Sequence, residues 1–243
     1  MGYLYLASII TGLAWSYLRA DLPVGLRRGK GLNLCASASL LTPRFKLMRI
    51  CFIGDSFVNG TGDTQYLGWT GRICAAAQSQ GKDITHYNLG VRRDTSAGIL
   101  CRWQAETAAR LPDGQDGRLV FSFGVNDTTM EDGDPRISYG KSVDNACRIL
   151  EEACRQYPVL MIGSPPTADL EQTGRIRRLN QEYSRVCAEL GVPYLSVIER
   201  LTDAEVWVSE AIAYDGAHPR SGGYALLAGL VQEWPAWQDW LKS

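Results

Sequence analysis

From Met48 onward the chain alternates short apolar runs with longer amphipathic segments. The runs "RICFIG" (Arg49–Gly54), "DITHYNLG" (Asp83–Gly90), "RLVFSFG" (Arg118–Gly124), "PVLMIGS" (Pro158–Ser164) and "PYLSVI" (Pro193–Ile198) have the length of strands. Most are nearly continuous in apolar residues, as strands buried on both faces require. Helices are predicted over Leu67–Gln80, Ser96–Leu111, Ser138–Gln156 and Thr173–Leu190, and a last one from Ser221 to about Trp234. In "VDNACRILEEACRQY", Val143, Ala146, Ile149, Leu150 and Ala153 recur at three-to-four spacing and form one buried stripe. Glu151 and Glu152 are neighbours that diverge on such a helix, so they belong to a solvated face rather than a carboxylate pair. Strands alternating with helices predict an α/β chain of three layers, α/β/α, with about five parallel strands.

In open parallel sheets, ligands bind beyond the carboxyl ends of the strands. The residues just past the apolar runs are therefore the ones to inspect. "GDSF" comes after the first run and carries Ser56; the second exits at Gly90 in "NLGVRRDTS". "FGVNDTT" after the third holds Asn126 and Asp127, and "YDGAHP" before the last helix holds Asp215 and His218. Together these could perform nucleophilic acyl transfer. A serine hydroxyl needs a base within hydrogen-bond reach, and the base needs an orienting partner. His218 and Asp215 fit those roles, and the Ser56 N–H, the Gly90 N–H and the Asn126 amide fit an oxyanion hole. Glycine at position 90 would let backbone approach a bound carbonyl. Each piece alone also reads as turn or capping chemistry; the conjunction carries the case. The other histidine, His86, has no acidic partner at short spacing and reads as a strand residue.

"GDSF", Gly90, "GVND" and "DGAHP" resemble the four blocks of the SGNH hydrolases, the GDSL esterase/lipase superfamily, over Arg49 to about Leu230. The resemblance implies a flavodoxin-like fold and hydrolysis of carboxylic esters or thioesters without metal or organic cofactor. It implies Ser56 as nucleophile, Asp215 and His218 as the rest of the triad, and Gly90 and Asn126 as oxyanion donors. The fourth residue of the first block is Phe57 instead of leucine, at a position that should pack rather than react. Arg93 stands where a small residue is common, so Arg92 and Arg93 place two cations at the mouth of the site. They read either as a solvated surface pair or as a clamp for an anionic substrate group.

Two other functions compete. "GDSFVNGTGD" could cradle a phosphate at a helix start, but no GK[ST] comes after it and the third glycine of a dinucleotide fingerprint is missing. A catalytically inactive ligand-binding module on the same fold is the second alternative. The loops "TTMEDGDPRISYG" and "PPTADLEQTG" should wall the pocket. Their acidic residues Glu131, Asp132, Asp134, Asp169 and Glu171 suggest a polar rim and short acyl groups such as acetyl. Trp69, Trp103 and Trp207 read as core residues, and Trp234, Trp237 and Trp240 as packing onto the sheet or a partner subunit.

Composition narrows the partners. The 243 residues are 45% hydrophobic and 21% charged, with a formal net charge of −1, so bulk charge favours neither nucleic acid nor an anionic membrane. Seven cysteines without a C-x-x-C pair make metal sites and a disulfide framework poor readings. Cys51, Cys74, Cys147 and Cys154 sit in apolar patterns as small buried hydrophobes, which favours a reducing, cytoplasmic setting. Residues 1–47 read as an N-terminal extension before a hydrolase domain spanning 48–243. The apolar tract Tyr3–Leu18, with Arg27, Arg28 and Lys30 after it, leaves three readings for this extension. They are a membrane anchor, a divergent export signal, or a dispensable segment. The partner expected is a small-molecule ester, and membrane association arises only if residues 3–18 act as an anchor.

Overall fold

The computed structural model describes residues 47–242. Five strands, β1 (Met48–Gly54), β2 (Ile84–Gly90), β3 (Asp116–Ser122), β4 (Val159–Ile162) and β5 (Tyr194–Leu195), form a parallel sheet in the order β2-β1-β3-β4-β5. That is the flavodoxin-like order, with its reversal at β1, so a crevice opens beyond the carboxyl ends of β1 and β3.

The central strands β1, β3 and β4 bury both faces, and the two-residue period sorts their side chains. Ile50 and Phe52 of β1, Val120 of β3, and Leu160 and Ile162 of β4 enter one core. Cys51, Ile53, Leu119, Phe121, Val159 and Met161 enter the other. The first core is covered by α2 (Gly68–Ser79), α8 (Ser221–Glu233) and α9 (Pro235–Lys242), through Trp69, Ile73, Tyr224, Leu227, Val231 and Trp237. The second is covered by α3 (Ser96–Ala108), α4 (Tyr139–Cys154) and α5 (Leu170–Leu190), through Ile99, Trp103, Ile149, Leu150, Leu179 and Tyr183. Of the α4 stripe, Ala146, Ile149, Leu150 and Ala153 are buried as expected and Val143 is half-buried against the same core, while Glu151 and Glu152 reach Arg155 on the outer face. Trp69, Trp103 and Trp207 are core residues, and Trp234, Trp237 and Trp240 pack against the first core.

Several elements depart from the sequence reading. The fifth strand shrinks to Tyr194–Leu195, because Val197 turns into helical backbone and Ile198 opens α6 (Ile198–Thr202). A four-residue helix, α1 (Ser56–Asn59), starts at the serine itself, and α7 (Glu205–Tyr214) fills the segment before Asp215. Met130–Glu131 pairs antiparallel with Asp134–Pro135 in a small ribbon. Cys51 and Cys74 are buried, and desolvation pushes both thiols up to about 12, which leaves them unreactive. Cys147 is only half-buried and Cys154 is exposed; Cys154 lies one residue, about 100°, beyond the Ala153 end of the stripe.

Among the described residues no helix is long and apolar enough to cross a membrane. The Tyr3–Leu18 tract and, Leu47 apart, the rest of the extension read over 1–47 lie outside the described residues.

Candidate active site

The carboxyl end of β1 is built to set a serine free of the sheet. A Cβ on Gly54 would lie 1.9 Å from the Ser122 carbonyl oxygen, so only glycine fits between β1 and β3 there. Asp55 is extended (φ −98°, ψ −152°), and its Oδ1 accepts the Phe57 N–H at 3.0 Å, capping α1. Ser56 is the first helical residue. Gly60 ends α1 in a left-handed turn (φ 83°), with its N–H donating to the Ser56 carbonyl at 3.0 Å. The Thr61 amide donates to the same carbonyl, so this loop turns its N–H groups inward. That is a poor cradle for phosphate.

Ser56 Oγ lies 2.7 Å from His218 Nε2, and His218 Nδ1 lies 2.8 Å from Asp215 Oδ2. Asp215 Oδ1 accepts the Ala217 and His218 amides at 3.0 and 2.9 Å, so the carboxylate folds the loop that carries the imidazole it orients. The tautomer satisfying both contacts has Nδ1–H donating to Asp215 and Nε2 accepting from the serine hydroxyl. Burial holds the His218 pKa below its ordinary value, Asp215 pulls it back in part, and the Arg92 charge adds to the depression. Burial alone would raise Asp215, but hydrogen bonds from the His218 amide and ring and the Ala217 amide outweigh it and hold the carboxyl below its usual range. Near neutral pH the geometry therefore offers a carboxylate, a neutral imidazole and a hydroxyl in line. Phe57 packs as expected: its ring lies 4.6 Å from the imidazole and stacks on Trp207 at 6.2 Å.

Asn126 stands in a 3₁₀ turn (Asn126–Thr128) just past β3, the strand paired with β1. Its Nδ2 is buried and has no hydrogen-bond partner. Asp127 faces away, accepting the Ser96 N–H at 2.8 Å, and so pins the turn to the start of α3. The Ser56 amide heads α1, where first-turn N–H groups lack partners within the helix. Gly90 differs from expectation in two ways. Its N–H donates to Asn88 Oδ1 at 3.0 Å, while Asn88 Nδ2 donates to the Val58 carbonyl at 2.8 Å. A Cβ at position 90 would meet the Asn59 nitrogen at 2.1 Å and the Asp55 carbonyl oxygen at 2.7 Å. The glycine is thus required already by α1 lying across the end of β2.

The two arginines of "VRRD" part company. The Arg92 guanidinium lies 3.6 Å from Asp215 Oδ2. Arg93, in left-handed backbone (φ 68°), turns to Glu131 at 3.4 Å, which also takes Arg136. Glu131 is thereby committed to two cations. Asp169 caps α5 through the Glu171 and Gln172 amides at 2.8 and 3.1 Å. His86 packs on Phe52 and bonds Thr70 Oγ1 at 3.0 Å, a strand residue as expected.

Other residues that shape the site carry no motif. Arg102 reaches from α3 to the carbonyls of Gly54 and Leu89 at 2.9 and 3.0 Å, tying the exits of β1 and β2 together. Asp63 accepts the Gln65 and Gly68 amides, the Ser221 hydroxyl and Arg72, joining the loop after α1 to the start of α8. Burial would raise its pKa, but Arg72 and these donors hold it far below the usual range. Asp55 is buried with Oδ2 unpartnered, and desolvation, reinforced by Asp127 and Asp94, lifts its pKa to about 7. Acidic residues in loops resemble ordinary turn chemistry, so no sequence signal separates these two. Among the described residues no group of three or more His, Cys, Asp and Glu side chains is placed to hold a metal ion.

A parallel sheet with a hydrogen-bonded Ser–His–Asp line at its switch point defines the class to which comparison with known proteins also leads. Residues 52–226 match the GDSL-like Lipase/Acylhydrolase family, and the chain belongs to that family of ester-hydrolysing enzymes. Among solved structures, a lipase/acylhydrolase from Enterococcus faecalis is 24% identical with a TM-score of 0.64, covering 76% of this chain and 93% of that one. Axe2, an acetylxylan esterase from Geobacillus stearothermophilus, is 16% identical with a TM-score of 0.62 over 76% of this chain and 93% of that one. At these identities the likeness is one of fold. No curated protein matches the chain in sequence.

Proposed function

We propose that the protein is a serine hydrolase that cleaves carboxylic esters of small acyl groups through an acyl-enzyme. The observation that carries this reading is the unbroken line from Asp215 through His218 to Ser56, with contacts of 2.8 and 2.7 Å. Ser56 Oγ attacks the ester carbonyl carbon as its proton passes to His218 Nε2. The oxyanion so formed accepts from the Ser56 N–H and from Asn126 Nδ2, a donor with no other partner. The Gly90 N–H joins them only by releasing Asn88 Oδ1. The tetrahedral intermediate collapses, the C–O bond breaks, and the alcohol leaves with the proton from His218. Water then attacks the acyl-enzyme with His218 as base, releasing the acid and restoring Ser56. No step calls on a metal or an organic cofactor.

A small acyl group is favoured by the wall beyond Asn126. There Gln172 Nε2 bonds the Val125 carbonyl at 3.2 Å and Thr129 Oγ1 at 3.1 Å, and Arg175 Nε bonds the Thr128 carbonyl at 3.0 Å. The loop after β3 is thus tied to the first turns of α5 and cannot readily part for a long chain. The test is hydrolysis of p-nitrophenyl acetate by the wild type and by Ser56→Ala, both shown to be folded. Loss of a triad serine costs on the order of 10⁶ in turnover. Equal rates in the two proteins would end the serine mechanism.

A further inference from the structure

Beside the triad, on the side of Asp215, a cavity of about 590 Å³ opens among Asn59, Thr61, Tyr66, Arg92, Tyr214 and Arg220. The one acid that lines it, Asp63, is committed to Arg72 and Ser221. The two cations are not so committed. Arg220 lies over the Tyr214 ring, 4.8 Å from its centroid, and among the described residues no carboxylate pairs with its guanidinium. Arg92 has only the loose 3.6 Å approach to Asp215, beyond hydrogen-bond reach. Tyr66 is 94% exposed and offers its ring to a ligand. A polar pocket with two under-used guanidinium groups and a free aromatic face suits an anion carried on a compact organic group.

Its position says which half of an ester it would receive. The cavity flanks both ends of the loop that carries the triad acid and base: Tyr214 precedes Asp215, Arg220 comes after Pro219, and the Gly62 backbone packs against the Pro219 carbonyl. The leaving alcohol takes its proton from His218 Nε2, so it departs beside the imidazole that this loop carries. Building on the esterase reading above, we propose that this cavity is the alcohol subsite and that it selects alcohols bearing a carboxylate or a phosphate monoester, held by Arg92 and Arg220. The choice also helps the chemistry. The Arg92 charge opposes protonation of His218, so an anion that neutralises it makes the imidazole a better base.

The test compares three acetates that differ in the alcohol: methyl 4-acetoxybenzoate, 4-acetoxybenzoate and 4-acetoxyphenyl phosphate. A fourth ester, mono-4-nitrophenyl succinate, puts the anion on the acyl side. The preference of the wild type for the anionic over the neutral acetates, as a ratio of kcat/KM, should fall at least about tenfold in Arg92→Ala and in Arg220→Ala. A fall for the phosphate alone would assign the subsite to phosphate monoesters, and a fall for the carboxylate alone to carboxylates. An unchanged ratio, or an equal fall for the succinate, would overturn the proposal. A second measurement does not depend on turnover. Calorimetric titration of 4-hydroxybenzoate and 4-hydroxyphenyl phosphate into Ser56→Ala should show binding that is lost when Arg220→Ala is added. Binding lost in this way in a protein that cleaves none of the esters would leave the subsite standing and remove the esterase reading. Binding untouched by Arg220→Ala would remove the subsite.

Discussion

Asp55 holds a carboxyl group in a place that disfavours its charge, and the cost can be measured by changing one atom. Asp55→Asn keeps the oxygen that caps the Phe57 amide and removes the ionisable function. Burial first, then repulsion from Asp127 and Asp94, raises this carboxyl from an ordinary 3.8 to about 7. In the unfolded chain it titrates near 3.9. Linkage fixes the sign: the folded state keeps its proton between about pH 4 and pH 7 while the unfolded state has lost it. The stability associated with that proton is complete below about pH 4 and is lost as pH rises through 7. At 1.36 kcal/mol for each tenfold change in proton affinity, the loss reaches about 4 kcal/mol above pH 7. Asparagine carries no such dependence. Urea unfolding of both proteins from pH 4 to pH 8 should therefore show the variant gaining on the wild type by up to about 4 kcal/mol. Any fixed difference between an amide and a protonated carboxyl at this site cancels in that comparison. Parallel stability curves across the range would refute an elevated Asp55 pKa.

Three further outcomes are expected. Asn126→Ala should lower kcat by about 10²–10³ while leaving the melting temperature in place, because Nδ2 makes no hydrogen bond in the resting structure. Gly90→Ala forces a Cβ to within 2.1 Å of the Asn59 nitrogen, so denaturant unfolding should show a loss of about 1–3 kcal/mol, with lower kcat as α1 is displaced. The acid limb of kcat/KM should have its midpoint below 6.5, where burial holds His218, and activity should fall as pH drops through it. In Arg92→Ala the midpoint should move upward, since one opposing positive charge is gone.

The sheet and the residues at its carboxyl edge are legible in the sequence because both depend on local pattern. Buried strands announce themselves as apolar runs, and the residues just past each run stand at the edge. Ser56 and Asn126 are placed by that logic alone, whereas Asp215 and His218 come off the end of α7 and stand out only as an acid and a base three residues apart ahead of the last helix. The same logic fails where burial is settled by distant contacts. "PYLSVI" looks like a strand, yet Ile198 is buried as part of a helix, a distinction that so short an apolar run does not encode. In α7 only Trp207 and Ala211 are buried, while Val206 and Ile212 are exposed, so its apolar residues trace no stripe. The packing demand on Gly90 is invisible in the sequence, since its neighbours are Asn59 and Asp55, the last residue and the cap of a helix four residues long that has no periodicity to detect. Arg92 and Arg93 are adjacent in sequence and indistinguishable there. The left-handed backbone at Arg93 sends one to Glu131 and leaves the other beside Asp215.

Ser56 and His218 are separated by 162 residues, and the imidazole arrives on the loop just ahead of α8, whose first turn Glu210 and Asp63 secure. On the proposed mechanism the serine is an ordinary hydroxyl until that distant loop has docked against it. Turnover would then report the docking of α8 itself, and a fragment that holds Ser56 but stops short of residue 215 should leave esters untouched.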